Sequence, residues 1–571
     1  MRSRVVFSLA VKTSTGVGLV LCVWFVLSLP SEPVLISVPP GSSVITDVVK
    51  GAFHVHTNRS DGSGSVEDVA SAARSAGLQF VIFTDHGNAT RTPDRPRYLS
   101  GVLCLDGVEI STRGGHYIAI GMREAAPYPL GGDAEGVVAD VRRMGGFGVA
   151  AHPTSAKEEL RWADWSLNID GVEWLNGDDQ WRDESWPELL LAAARYAVRP
   201  SPSLATLLDR PEASIRQWDA TGTRSIVGLG GMDAHAWNKA GLEGKAIPSY
   251  EEVFRAFAIR VQLNRPWTGH AGADANAILD ALRAGRTFTA IDALGSPAEF
   301  TYIGLTDGPP ITMGSRVPED IETTLRATAI GPPGTEILLF ADGQHLKSAT
   351  DGELSHAVMG QTGGYRVEVR LPTSNSNRAV PWIMSNPIYV GSRPQLVPRE
   401  QQTVTQFLLP ATNDELQFVW HSEHDDLSAG VVGLAREEVV FEHRLSTKGN
   451  AGHFSAAVYP LGLGALTGFD GIAFEGRANR PMRLSAQLRA AALDGEPRWR
   501  KSFFLNENQK TIRIAWDNFT SVEKEEARGT FLSAIDAFLI VTDLTNGTPG
   551  IAGEVRISSP RIEAWEPRSE R

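Results

Sequence analysis

"GAFHVHTNRSDGSGS", residues 51–65, puts His54 and His56 two positions apart at the end of an apolar segment, with a Ser-Asp-Gly turn directly after them. On a β-strand, residues i and i+2 share a face, so this spacing predicts two imidazoles on one side of a sheet. Asp61 in the turn is short enough to reach back over the strand end. Imidazoles brought together in this way call for a shared partner, because buried polar groups left without one are costly.

The surrounding chain shows where such a strand belongs. Apolar stretches "GAFHVH", "FVIFTDH", "VLCLDGVEI", "HYIAIGM", "FGVAAHP", "DGVEWLN" and "SIVGLGGMDAH" alternate with amphipathic helical patterns up to about residue 290. "SVEDVASAARSAG" carries Ser65 as a cap and Gly77 as a stop. "DAEGVVADVRRMGG" and "DANAILDALRAGR" read the same way, the latter ending on Gly285. Seven strand–helix units predict a largely parallel α/β sheet closed into a distorted (β/α)7 TIM-like barrel over residues 45–292.

Six histidines precede residue 270: His54, His56, His86, His116, His152 and His235. Each falls at or beside the end of a predicted strand. Glu109 closes "DGVEI", and Asp233 precedes His235 in "GMDAH". Strand ends of a parallel barrel meet at one face, where active sites are built, so these six histidines should converge there with Asp61, Glu109 and Asp233. A single buried histidine needs no ion to explain it; six at strand ends do. Imidazole and carboxylate without thiolate suits zinc, manganese or iron. An open catalytic ion takes about three protein ligands, so nine side chains serve three divalent ions.

H-x-H with S-D-G, then T-D-H, a strand-end Glu, G-H, A-H-P and D-x-H, in this order, resemble the PHP superfamily of polymerase-associated and histidinol-phosphatase-type metallohydrolases. The resemblance covers residues 50–290. It implies a barrel with up to three metal ions. His54, His56, Glu109 and Asp233 would hold one; Glu109, His116 and His152 a second; Asp61, His86 and His235 a third. An exported barrel with trailing β-domains is most similar to the CehA/McbA-like metallohydrolases, a branch named for carbaryl hydrolysis. The function implied is metal-dependent hydrolysis in which water ionised by the ions attacks the substrate, with Asp85, Glu109 and His235 acting in the reaction. Asp85, next to His86, either orients a ligand or faces away along its strand.

Charge bears on the substrate. Three divalent ions, three carboxylates and one hydroxide leave about +2, which suits an anionic phosphoester. A carbamate or carboxyl ester is the alternative, and an envelope protein that only binds or senses a ligand is another. Nucleotide or nucleic-acid phosphoester hydrolysis is a further alternative, although the formal charge of −13 over the whole chain argues against a broad nucleic-acid surface.

The rest of the 571 residues reads as separate modules. Arg2, Arg4 and Lys12 precede an apolar run from Gly16 to Leu29, so residues 1–30 are expected to be an export signal or an uncleaved membrane anchor, shorter than the ~20 residues of an ordinary span. This places the protein in the periplasm or another extracytoplasmic compartment. "PSEPVLISVPPGSS" reads as a linker. Residues 293–395 are strand-only, with an Asp342-Gly343 hairpin turn and "YRVEVRL" alternating Tyr365, Val367, Val369 and Leu371, and predict a β-sandwich. Residues 400–571 predict a second sandwich or jelly roll with a glycan or envelope partner as its candidate ligand. With only Cys22 and Cys104, no disulfide framework is available.

Other signals are weaker. Trp162, Trp165, Trp174, Trp181 and Trp186 cluster after His152 and predict local packing of a rim loop rather than a stacking lid. Glu173 and Asn176 end a strand at the site face and are candidates for touching substrate. "HSEHDD", residues 421–426, reads as an exposed loop before a cation site. "GLGG" before Met232 lacks the Lys-Ser/Thr of a phosphate loop, and Ser63 lies in a turn unsuited to a nucleophile elbow.

Overall fold

The computed structural model describes residues 19–38, 47–236, 247–372, 380–392, 403–407, 420–449, 452–491, 493, 497–522 and 531–565. All seven expected strands are present: Val48–Val55, Phe80–Phe83, Val102–Thr112, Gly115–Ile120, Phe147–Ala150, Gly171–Asn176 and Val227–Gly231. Each pairs with the next in this order. The Met232 N–H then donates to the Phe53 carbonyl (2.9 Å) and the His56 N–H to the Ala234 carbonyl (3.0 Å), bringing the seventh strand back to the first.

This ring is not seven strand–helix units. Gly115–Ile120 runs antiparallel to both neighbours and follows Val102–Thr112 directly, without a helix. The reversal matters for the site. His116 opens its strand, and an antiparallel strand begins at the same face where its parallel neighbours end.

Local chemistry explains the elements. Val66–Ser75 starts on a Ser65–Asp68 capping box and stops before Gly77 at φ +74°. Ala134–Arg143 starts on the Asp133 side chain, which accepts from the Glu135 N–H. Ala271–Arg283 starts three residues earlier than its sequence pattern suggests. Apolar residues of the strands and of these helices fill the core around the ring.

The expected border at residue 292 lies inside one continuous sheet. Strand Thr287–Ala290 pairs antiparallel with both Ala258–Gln262 and Ile383–Ser385, so strands of the next module prolong the barrel sheet. Asp342 and Gly343, both at positive φ, form the expected hairpin turn between Glu336–Ala341 and Gln344–Ala349. Tyr365, Val367 and Val369 are buried as the alternation predicts, yet the other face of that strand is buried as well. There Arg366 is paired with Asp219, and Glu368 with Arg210. Part of the expected N-terminal linker is a strand too: Val34–Leu35 pairs with Gly295–Ser296.

Beyond residue 420, two antiparallel sheets form a sandwich with its own core, including Phe441, Phe474, Leu484 and Ile540. Residues 1–18 of the expected signal lie outside the described residues; Leu19, Val20, Leu21, Trp24 and Leu27 are exposed. Among the described residues no helix is long and apolar enough to cross a membrane.

Candidate metal centre

His54, His56, Asp61, His86, Glu109, His116, His152, Asp233 and His235 all meet at one face of the ring, and four overlapping groups of them have side-chain N and O atoms within 4.8 Å of one another. One group is His56, Asp61, His86 and His235. The others are His54, His56 and Glu109; His54, His152 and Asp233; and His86, Glu109 and His116. The expected Asp61–His86–His235 set is thus together. His116 and His152, expected to share an ion with Glu109, both approach its Oε1, and His152 is also grouped with His54 and Asp233.

Glu109 is the centre. Its Oε2 lies 3.3 Å from His54 Nε2, 3.2 Å from His56 Nε2 and 3.2 Å from His86 Nδ1. Its Oε1 lies 2.6 Å from His116 Nδ1 and 3.1 Å from His152 Nε2. Both oxygens of one fully buried carboxylate therefore face imidazoles from four other strand ends. At the mouth, the Asp61 side chain is 42% exposed and that of His86 36%, so this edge is open to solvent.

Backbone conformation brings the ligands in. His54, His152 and Asp233 have φ of +65°, +50° and +49°, a region that non-glycine residues seldom occupy and that tends to mark functional positions. The pairing of the first two strands also shifts register between Phe53 and Val55, leaving His54 as a bulge. Simple pleat alternation therefore does not describe His54. The bulge turns its ring toward that of His56, with centroids 5.1 Å apart.

Behind these side chains stands a row of carboxylates that the sequence placed only in part. Glu173, expected at the substrate, instead accepts from His54 Nδ1 at 2.6 Å, and its other oxygen accepts from the His152 N–H and the Asn176 amide. With Nδ1 bearing the proton, His54 Nε2 presents its lone pair to the centre. Asn176 also caps the next helix at Asp179 N, and Asp179 lies 3.3 Å from His152 Nδ1. Asp179 was missed, although "LNGDD" is a helix start rich in acid directly after a site strand. "GLGG" gains a purpose here: a Cβ on Gly231 would collide with the Glu173 carboxylate.

Asp85 does not touch a ligand imidazole. Its carboxylate accepts from the Thr57 N–H (2.7 Å), the Thr57 hydroxyl (2.8 Å) and the Ser60 hydroxyl (2.8 Å). It fixes the turn that carries Asp61, so its role is positioning rather than catalytic. His235 lies 3.2 Å from Asp61 through Nε2 and stacks on His56 at 4.2 Å.

Burial alone would lower the pKa of His54 and His152, but Asp233, Glu173, Asp179 and Glu109 hold both well above the ordinary value. Burial would likewise raise Glu109, yet the imidazoles of His54, His116 and His152 hold it well below. His56 Nε2 and Asp233 Oδ1 are buried and 3.2 Å apart but make no hydrogen bond. Buried N and O atoms this close that form no hydrogen bond with each other fit divalent cations, and the all-N/O donor set suits zinc, manganese or iron.

Glu173→Gln is expected to lower affinity for divalent metal by about 10–100-fold, the usual cost of losing an outer partner of a ligating histidine. Calorimetric metal titration checks this, and affinity within twofold of wild type would remove the positioning role.

The tryptophan cluster is mainly structural. Trp162 is buried and stacks on Tyr117, and the Trp174 N–H donates to Thr289; only Trp181 and Trp186 are exposed. Among the described residues, "HSEHDD" joins no group of metal-capable side chains.

Residues 52–120 match the family model described as the PHP domain. Among solved structures, a two-domain protein from Bacteroides vulgatus containing a predicted PHP-like metal-dependent phosphoesterase is 16% identical, over 62% of this chain and 99% of that one, with a TM-score of 0.30. A lesion-specific endonuclease from Pyrococcus furiosus is 15% identical over 44% of this chain and 57% of its own, at a TM-score of 0.23. A family 11 carbohydrate-binding module of a Clostridium thermocellum cellulase is 13% identical over 27% of this chain and 91% of its own, at 0.21. No curated protein matches the chain. The stretch that matches the PHP domain model contains His54, His56, Asp61, His86, Glu109 and His116 of the metal centre.

Proposed function

We propose that this chain is a metal-dependent hydrolase of phosphoesters. The observation that carries the reading is Glu109, whose two oxygens are shared among five imidazoles, the arrangement expected of a carboxylate bridging neighbouring cations. Three cations, zinc, manganese or iron, fit the donor groups. When bound, such ions acidify water and polarise a substrate oxygen.

The chain's own residues do the rest. Glu109, His54 and Asp233 form the buried floor, Glu173 and Asp179 fix the ring nitrogens turned inward, and Asp61 with His86 and His235 lines the open edge where substrate enters. Asp85 holds that edge in place through Thr57 and Ser60.

One finding supports a second reading. Glu173 and Asp179 add two negative charges to the tally, taking the formal site charge from about +2 to about zero. A neutral carboxyl ester or carbamate then becomes a competitor. The phosphoester reading still leads because both added carboxylates sit on the far ring nitrogens of His54 and His152, while the opposite ring nitrogens face Glu109 at the centre of the cluster.

The test loads purified protein with manganese or zinc and offers phosphomonoesters, phosphodiesters, aryl esters and carbamates. Phosphoester turnover that chelation removes and metal restores is the expected result. Cleavage confined to aryl esters or carbamates would give the site to the second reading.

A further inference from the structure

Next to the cluster lies a cavity of about 330 Å³. One part of its wall is the segment Met232–Ala236, which carries the metal-site residues Asp233 and His235. Most of the remaining wall is apolar, supplied by Leu189, Ala192, Leu204, Leu208 and Phe257 among others. Asp178 and Gln180 are polar members of the lining, but both are engaged: Asp178 pairs with Arg182, and Gln180 accepts from the Asp209 N–H. A cavity with a reactive edge and an otherwise apolar lining has the usual form of a small-molecule site.

We propose that this cavity receives the apolar alcohol portion of the substrate, so the ester cleaved is one of a hydrophobic alcohol. The proposal rests on the hydrolase reading above and narrows its substrate class. Size supports it: a dry apolar cavity of ~150 Å³ accepts a benzene ring, so this one has room for roughly two such rings or a medium alkyl chain. Among the described residues, the wall formed by Leu189, Leu204, Leu208 and Phe257 offers no hydrogen-bond partner to the hydroxyl groups of a sugar or nucleoside alcohol. Asp233 and His235 belong both to the cavity wall and to the metal cluster, so an ester group held at the cluster would have this wall beside its alkyl portion.

Hexyl phosphate and ethyl phosphate separate the cavity from the chemistry, since their leaving alcohols have nearly the same acidity. In manganese-loaded wild-type protein, kcat/KM for hexyl phosphate is expected to exceed that for ethyl phosphate by ~10–100-fold. Ala192→Leu, which fills the cavity, should remove most of that preference while leaving ethyl phosphate turnover within twofold. Ala193→Leu, on the same helix where the lining is solvent-exposed, replaces it if Ala192→Leu does not fold. Calorimetric binding of hexylphosphonate against ethylphosphonate applies the same comparison without turnover. Tighter hexyl binding that the filled variant loses supports the cavity even if neither phosphate is cleaved, in which case only the hydrolase reading falls. Equal binding and equal kcat/KM for the two chain lengths, or parallel losses for both in the filled variant, overturns it.

Discussion

Glu109→Gln is expected to reduce hydrolysis by about 10³-fold or more, well beyond the ~10–100-fold attached to an outer partner such as Glu173. The side-chain volume is unchanged, so the buried floor keeps its packing. What goes is one negative charge and one of two acceptor oxygens in a spot ringed by five imidazoles. An amide can face one set of imidazoles with its oxygen, but its NH2 then faces nitrogens that also need an acceptor or a cation. Two cation positions would be weakened together, since His54, His56 and His86 approach one oxygen and His116 and His152 the other. Metal content and kcat, measured on the same preparation, should therefore fall jointly while near-UV circular dichroism stays native. Wild-type turnover in this variant would mean that the carboxylate bridges nothing, and the site assignment would have to be abandoned.

Much of this centre could be read from one sequence because most of the ligands sit near a strand boundary, and strand boundaries are written in local chemistry. "FVIFTDH" and "FGVAAHP" each show an apolar run stopping where a polar side chain must leave the sheet. Three features escaped. The antiparallel course of Gly115–Ile120 depends on pairing with Val102–Thr112 and Phe147–Ala150, and a short apolar strand carries no mark of its direction. The grouping of ligands depends on backbone turns at His54, His152 and Asp233, whose positive φ values are imposed by the surrounding fold. Asp179 becomes an orienting carboxylate only because Asn176 caps the helix that follows, which sets its side chain against His152. Beyond the site, alternation in "YRVEVRL" identified the inner face, but Arg366 and Glu368 showed no sign of their burial. Their partners, Asp219 and Arg210, lie about 150 residues away.

Asp140→Ala is expected to destabilise the protein by ~3–5 kcal/mol, because it leaves the Arg483 guanidinium buried without its counter-ion. Arg483 comes from the last sandwich and reaches the helix Ala134–Arg143, where Nε and Nη2 contact the two Asp140 oxygens at 2.7 and 2.5 Å. Both groups are almost wholly buried, and Tyr128 and Arg143 complete the shell around Asp140. Burial lowers the pKa of Arg483 and Asp140 raises it; with Asp140 gone the guanidinium is intrinsically too basic to relieve its loss of partner by losing a proton. Replacing both members, as Asp140→Leu with Arg483→Met, should recover most of the loss, since removing a buried ion pair whole is commonly near neutral. The contrast between single and double variants separates a stranded charge from a mere loss of contact. Unfolding of so large a chain need not be two-state, so the quantity to compare is the denaturant midpoint of the first transition seen by tryptophan fluorescence. A single variant within about 1 kcal/mol of wild type would show that water or Ser502 satisfies the guanidinium, and the pair would then not be what fixes the sandwich to the barrel helix.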